Sequence, residues 1–360
     1  MSERTAFTRT DPITAAVISG ALESIAVEMG HKLTRMAYSS LIRESEDFGA
    51  AILDATGRQL AEATFSTPLQ LGPIPGYMQG IFQLFDQRGD HFRPGDVILH
   101  NSAYYGATHG PDFGVCVPIF DNAEDLIGFA FTTAHHLDVG ALTPGSCGIV
   151  DATDAYAEGL QFKAVKLYDR GVRQDYVWQL IGDNVRASAL VMGDLQAQVS
   201  AARIGAERFK DLTNQYGLPT ILAAAEDLMD YSEQRMRQAI AQLPDGTYAA
   251  TGYIDGYLDD PNPARKDLPI AVAVTIQGSD IIVDLTGTAP QVSDRPINMP
   301  FKGTVDVSVY LTLRSILLDS FVTESVPQNE GISRPIQIIA PPGTLANPIF
   351  PAPTIARFCP

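Results

Sequence analysis

Six side chains between Asp96 and Gly148 are suited to hold a divalent ion or move a proton: His100, His109, Asp112, His135, His136 and Asp138. All six histidines of the chain fall between His31 and His136. Neutral imidazole and carboxylate are the common protein ligands of Zn²⁺, Mn²⁺ and Fe²⁺. His109 and Asp112 form an H-x-x-D unit in GATHGPDFG, with glycines that permit tight backbone and Pro111 to stiffen the link. Three apart in a turn, the two can reach one ion, although short His/Asp pairs also occur in loops without one. The second unit, AHHLDVGA, ends the apolar run LIGFAFTTA. On an extended chain His136 and Asp138 share one face and His135 points to the other. His135 and His136 are therefore not both ligands unless the strand has already broken. One of them is then a hydrogen-bonding neighbour, and Asp138 either ligates or orients a ligand imidazole. Two histidines with one or two carboxylates leave a position for water, whose pKa a bound ion lowers towards ~7.

Those residues need strands and turns to bring them together. Val97 to His100, Val115 to Phe120 and Leu126 to Thr133 read as buried strands, the last two joined by the polar turn Asp121 to Asp125. Phe48 to Leu53 and Arg58 to Ala63 read as a hairpin around Ala55-Thr56-Gly57. Glu44, Glu46 and Asp47 stand at its mouth, solvated or closing a metal site. Asp11-Pro12 starts a long amphipathic helix reaching about Tyr38, with His31 as a plain helix residue. The Gly- and Pro-rich TPLQLGPIPGYM leads into a helix through Phe82 and Phe85. Asp138 to Gly159 reads as a structured loop and Gln161 to Leu167 as a strand. Helices follow over 174–186, 192–216 and 219–242, with Gly217 as a terminator. Strands return over 248–257, 268–276 and 280–285, then a helix over 305–318 and a strand over 335–340. Helices and strands do not alternate steadily. This predicts an α+β fold of mixed β-sheets with a central helical segment, in several layers. Three regions are expected: a metal-binding α+β part over 1–170, a helical part over 171–245 and a second α+β part over 246–360. The abrupt end at PIFPAPTIARFCP suggests that the last part is cut short.

Other candidates carry less. Ser146 and Cys147 of PGSCG have no evident activating base. Arg186 could meet a carboxylate, but an ion pair at a surface or interface is the simpler role. Trp178 and Cys116 read as core, and Asp259-Asp260 with Asn262 as an acidic turn. With 360 residues, 45% hydrophobic, the chain can bury a large core. Its net charge of −17 argues against a nucleic-acid partner, which requires a basic face. Three scattered cysteines make neither a disulfide framework nor a zinc knuckle. No stretch is read as a membrane span or a signal peptide. Neither a G-x-G-x-x-G at a strand–helix junction nor a G-x-x-x-x-G-K-[ST] marks a nucleotide site. The expectation is a cytoplasmic protein.

The chain resembles the N-terminal part of the hydantoinase B/oxoprolinase family. The resemblance rests on DPITAAVISGALESIAVEMG, IRESEDFGAAILDATGRQLAE, GDVILHNSAYYGATHGPDFGVCVPIF, AHHLDVGALTPGS, YAEGLQFKAVKLYDRG, MGDLQAQVSAARIGAERF and VPQNEGISRPIQIIAPPGTLANP, in family order over nearly the whole chain. Family members are longer, which suits a fragment. The resemblance implies a subunit of a hetero-oligomer, working with a larger, ATP-using hydantoinase A-type partner that phosphorylates the substrate's carbonyl oxygen. Such systems hydrolyse cyclic amides (N-methylhydantoinases, 5-oxoprolinases, caprolactamase-type enzymes) or carboxylate ketones (acetone and acetophenone carboxylases). The resemblance also implies a divalent metal, Zn, Mn or Fe, on Asp47 of EDFGA, His109 and Asp112 of THGPD, and His135 of AHHLD. The leading expectation is a hydrolase in which water on the metal attacks the phosphorylated amide. Asp112 is then a fourth ligand or the catalytic base, and Asp138 the residue that orients an imidazole. A ketone-carboxylase subunit and a non-catalytic scaffold with a structural metal are the alternatives. Two departures bear on substrate. Asn101-Ser102-Ala103 stands where many relatives have Asn-Asp-Pro, and Ala356-Arg357-Phe358 where hydantoinase-like members have Gly-Gly-Asn.

Overall fold

The computed structural model describes residues 10–144, 152–256, 260–318 and 326–355. Ser146, Cys147, Asp259, Cys359 and the Ala356-Arg357-Phe358 departure lie outside the described residues. The elements in chain order begin with α1 (Pro12–Met36), α2 (Ser40–Arg43), β1 (Phe48–Asp54), β2 (Gln59–Glu62), α3 (Pro68–Leu71) and α4 (Ile74–Arg88). Next come β3 (Val97–His100), β4 (Asp112–Phe120), β5 (Leu126–His135), β6 (Val165–Asp169) and β7 (Val172–Arg173). Three helices follow, α5 (Asp175–Asn184), α6 (Ser188–Tyr216) and α7 (Leu218–Ile240). The chain then forms β8 (Gly246–Gly256), β9 (Lys266–Gln277), β10 (Asp280–Asp284), α8 (Asp306–Leu317) and β11 (Ile336–Ile339).

The first five strands and β6–β7 make one seven-stranded sheet in the order β2-β1-β5-β4-β3-β6-β7, antiparallel throughout. The second sheet, β11-β10-β9-β8, is mixed, because β11 returns parallel to β10 after the α8 crossover. The α+β expectation therefore holds, with the mixed character confined to the smaller sheet. The large sheet is covered on both faces. Ala51, Leu53, Cys116, Phe129 and Phe131 pack on α4, whereas Ala50, Ile52, Val115, Val117 and Ala130 pack on α1 and α6. Period-two alternation sends successive side chains to opposite faces. A strand covered on both faces must be apolar at nearly every position, which is why β1 reads FGAAILD and is buried at every residue. α6 completes the layer over the large sheet, while α7 spans to the second core, where Met236 and Ile240 meet Ile281, Val283 and Ile336.

α1 starts on the expected cap, with the N–H groups of Ile13 and Thr14 donating to Asp11 Oδ1 at 3.1 and 3.0 Å. By length and composition alone α1 would be long and apolar enough to cross a membrane. In this fold its apolar stripe (Ile18, Leu22, Ala26, Met29 and Leu33) is buried in the protein core instead. The strand expected from Gln161 begins only at Val165, since the Phe162 N–H is taken by Asn101 Oδ1 at 2.6 Å.

Candidate metal centre

Asp112 opens β4, His135 closes β5, and the two are directly paired across the ladder. Asp47 continues the row: Phe48 pairs with Ala134, and the His135 N–H donates to the Asp47 carbonyl at 3.1 Å. Opposed residues of antiparallel strands project to the same face. By the alternation above, that face is the one covered by α3 and α4. His109 joins from the turn before β4, where the Asp112 N–H donates to the His109 carbonyl at 3.0 Å.

His109 Nε2 lies 3.0 Å from Asp112 Oδ1, and His135 Nδ1 lies 2.7 Å from the same oxygen. The two imidazole nitrogens are 3.3 Å apart. All three side chains are buried and their ligand-type atoms lie within 4.8 Å of one another. Proton positions follow from the partners. His109 Nδ1 faces the Ile355 carbonyl at 3.0 Å, and a carbonyl only accepts, so Nδ1 carries the hydrogen. A neutral His109 then presents a bare Nε2 lone pair to a carboxylate oxygen and a second imidazole. Electron-rich atoms converge in this way around a cation, and the N,N,O donor set suits a divalent transition metal. The Ile355 carbonyl is the kind of outer partner that fixes a ligand imidazole.

Asp112 is held from behind. The Thr108 hydroxyl donates to its Oδ2. With that hydrogen committed, the Tyr77 hydroxyl donates to Thr108 Oγ1 (2.9 Å) or to the Asp112 carbonyl (3.1 Å). Tyr77 reaches there across Gly114, where a Cβ would stand 2.6 Å from the Tyr77 ring. On the other side of the pair, Asn101 Nδ2 donates to the Gly110 carbonyl at 2.6 Å and pins the turn between His109 and Asp112.

Three of the four residues expected as ligands are thus brought together. Asp47 stands one strand over, opposite His135, with its Oδ1 accepting from Gln70 Nε2 at 3.1 Å. His136 points away, as strand alternation requires. Gln198 Nε2 donates to the Phe113 carbonyl at 2.8 Å, so its Oε1 accepts from His136 Nε2 at 2.8 Å. Burial lowers the His136 pKa. His100 closes β3 with Nε2 donating to the Tyr105 carbonyl at 2.9 Å, and burial pushes its pKa down to about 4. Asp138 does not meet an imidazole. Its Oδ1 accepts from Arg186 Nη1 and the Gly140 N–H, both at 3.1 Å, and its Oδ2 accepts the Arg186 N–H. The orienting role expected of it is filled by Ile355 for His109. The reason is topological: the chain turns after His135, and its next carboxylate falls against the α5–α6 junction. Trp178 and Cys116 are core residues, and His31 stacks on Phe65 at 4.5 Å.

Sequence reasoning misses Thr108, Tyr77 and Gln198, and also Glu158, whose carboxylate accepts the Ile355 N–H at 2.6 Å. Thr108 is adjacent to His109 and lies within reach of a local argument. Gln198 lies 62 residues from His136 and Glu158 lies 197 from Ile355, so no local pattern marks them. A cavity of about 250 Å³ lies between α3–α4 and α8, bordered by Gly76, Lys302, Tyr310 and Arg314; none of the three clustered residues lines it.

With this geometry in hand, similarity to known proteins is informative. A protein of Pseudomonas sp. (strain NS671), provisionally named as the B component of a D-/L-hydantoinase, is 64% identical over 348 residues, covering 97% of this chain and 59% of that protein. The beta chain of the Pseudomonas jessenii caprolactamase is 33% identical over 346 residues, covering 96% and 56%. The crystal structure of the ATP-dependent caprolactamase from Pseudomonas jessenii matches with a TM-score of 0.85 at 31% identity, covering 96% of this chain and 57% of that one. Nucleotide-free acetone carboxylase shares the fold, with a TM-score of 0.86 at 17% identity over 96% and 46%. The chain therefore spans less than two thirds of each of these relatives. The family model for hydantoinase B/oxoprolinase matches residues 11–359; the chain belongs to the hydantoinase B/oxoprolinase family.

Proposed function

We propose that this chain supplies the metal-binding part of an ATP-dependent cyclic-amide hydrolase, acting on an amide whose carbonyl oxygen an A-type partner subunit has phosphorylated. The observation that carries this reading is the convergence of His109 Nε2, Asp112 Oδ1 and His135 Nδ1 around one point, with the His109 hydrogen already committed to Ile355. His109, Asp112 and His135 would hold a divalent ion, and Asp47, in the same row on the same face, would complete the set. When bound, such an ion supplies Lewis acidity that lowers the pKa of a coordinated water towards ~7 and polarises a carbonyl oxygen. Asp112 acts in this reading as a ligand rather than a base, because Oδ1 faces both imidazoles and Oδ2 accepts the Thr108 hydroxyl. Thr108 and Tyr77 keep that carboxylate oriented, and the burial of all three clustered residues limits bulk water. Asp138 serves the loop after β5 through Arg186. The hydantoinase named among the relatives supports hydrolysis; the carboxylase likeness is one of fold alone.

The test is His109→Ala in the reconstituted complex with its A-type partner. The variant is expected to lose bound metal and substrate-driven hydrolysis while its circular dichroism stays that of the parent. Full metal retention would overturn the assignment. Bicarbonate dependence of substrate-driven ATP hydrolysis would replace the hydrolase by a ketone carboxylase, and a metal without a water-accessible position would leave a scaffold.

A further inference from the structure

The C-terminal segment 351–355 crosses the metal centre as a strap, tied at successive residues to different parts of the fold. The Pro351 carbonyl accepts the Ala155 N–H at 2.9 Å, and the Ala352 carbonyl accepts the Tyr104 hydroxyl. The Pro353 carbonyl accepts from Asn298 Nδ2 at 2.8 Å, and the Ile355 carbonyl faces His109 Nδ1 at 3.0 Å. The N–H groups of Thr354 and Ile355 both donate to Oε1 of Glu158, the latter at 2.6 Å. The Thr354 hydroxyl donates to Glu158 Oε2 at 3.4 Å.

Glu158 is 6% exposed, and among the described residues no cation contacts it. A buried carboxylate without a counter-ion is costly unless hydrogen-bond donors compensate it. Here the compensation comes from the strap, which makes the contact reciprocal: the carboxylate fixes the strap as much as the strap solvates the carboxylate. The consequence falls on Ile355. Its N–H is aimed at Glu158 and its C=O at His109, so two directions on one residue are set and its backbone torsions with them. Without the first anchor, nothing in that residue's own geometry directs the second.

We propose that Glu158 is a positioning residue for the metal centre: by gripping the N–H groups of Thr354 and Ile355 it aims the Ile355 carbonyl at His109 Nδ1 and thereby keeps the Nε2 lone pair turned towards Asp112 and His135. The inference rests on the metal-centre reading only for its metal readout; the tautomer of His109 tests it independently.

The experiment uses Glu158→Ala and Glu158→Gln in the full-length subunit. Glutamine can place its amide oxygen where Oε1 stands and accept both N–H groups, while its NH₂ donates to Thr354 Oγ1. Co²⁺ affinity is read by chelator competition and the ligand field from the visible spectrum. Whether His109 Nδ1 carries its hydrogen is read in the metal-free protein by ¹⁵N NMR of labelled histidine. Alanine is expected to weaken Co²⁺ binding about 10- to 100-fold, to shift the visible bands at saturation, and to lower the occupancy of the hydrogen on His109 Nδ1, which no longer has a fixed carbonyl to meet. Glutamine is expected to restore affinity to within about 3-fold of the parent, on the scale of that same outer-partner effect, with the parent tautomer. A purely structural role would lower the alanine variant's stability and leave the spectrum and tautomer unchanged, which overturns the proposal. A folded glutamine variant as impaired as alanine overturns it too. If the parent binds no Co²⁺, the metal-centre reading falls, and the tautomer result still decides the role of Glu158.

Discussion

Replacing Thr108 by valine removes one hydroxyl from behind Asp112 and leaves the shape almost unchanged. The structure allows the cost to be worked through. Thr108 is 1% exposed and Asp112 is fully buried, so no solvent can take the place of the lost donor. Asp112 Oδ2 would keep its burial and lose its hydroxyl partner, and a hydrogen bond to a charged group contributes about 1.5–3 kcal/mol. Tyr77 loses one of two acceptors but retains the Asp112 carbonyl at 3.1 Å, so it adds little. The metal-free Thr108→Val protein is therefore expected to lose about 1.5–3 kcal/mol of stability. The assay is urea unfolding in the presence of chelator, with the change appearing in the midpoint and not in the slope. Thr108→Ser keeps the hydroxyl and drops one methyl, so its loss should stay near ~0.8 kcal/mol. For the proposed metal-bound form, Thr108→Val should weaken ion affinity about 10- to 100-fold, as removal of an outer partner does. A valine variant no less stable than the serine variant would refute the reasoning, because the Oγ1–Oδ2 contact would then contribute nothing.

Two further expectations concern the packing behind the cluster and a buried acid on β2. Gly114→Ala would put a Cβ 2.6 Å from the Tyr77 ring and 2.9 Å from Phe131; overpacking of this kind costs about 1–3 kcal/mol, measured by the same unfolding assay. Burial pushes the Glu62 pKa up to about 8, above its ordinary 4.5. Its folded-state pKa being raised, Glu62 contributes stability that is fully present below about 4.5 and is lost as pH rises through about 8. Glu62→Gln should therefore flatten the pH dependence of stability across that window, with its largest advantage over the parent at pH 8 and above.

Local pattern revealed much of this architecture, and the places where it stopped are instructive. Val97 to His100 is a strand at the expected boundaries because it is short, apolar and bounded by a turn. The separation of His135 from His136 follows from alternation alone, and the structure sends one to Asp112 and the other to Gln198. β4, by contrast, begins at Asp112 rather than Val115. Asp112, Phe113 and Gly114 lack a strand-like pattern and are held extended by pairing with His135, Ala134 and Thr133. The row formed by Asp47, His135 and Asp112 depends on β1 lying beside β5 and β5 beside β4, an order that no single segment encodes. The same holds for the partners of His109, which come from widely separated parts of the chain. The buried stripe of α1 was legible from its helical spacing, but that α6 is the helix covering it was not, because the two are joined by no local pattern.

The distance in sequence between His109 and Ile355 also sets a clock. The two are 246 residues apart, and at about 5–20 residues per second of synthesis the strap emerges roughly 12 to 50 s after the histidine it orients. During that interval β4 and β5 can already pair and bring Asp112 to His135. The Nδ1 hydrogen of His109 has no carbonyl to meet, and the imidazole is free to place its proton on either nitrogen. In the proposed metal centre, an ion encountered early would meet a pair with an undecided third member, and one encountered late would meet all three side chains held. On the metal-centre reading, ion capture before and after the strap is made should therefore differ in rate, a difference set by the 246 residues between the imidazole and its support.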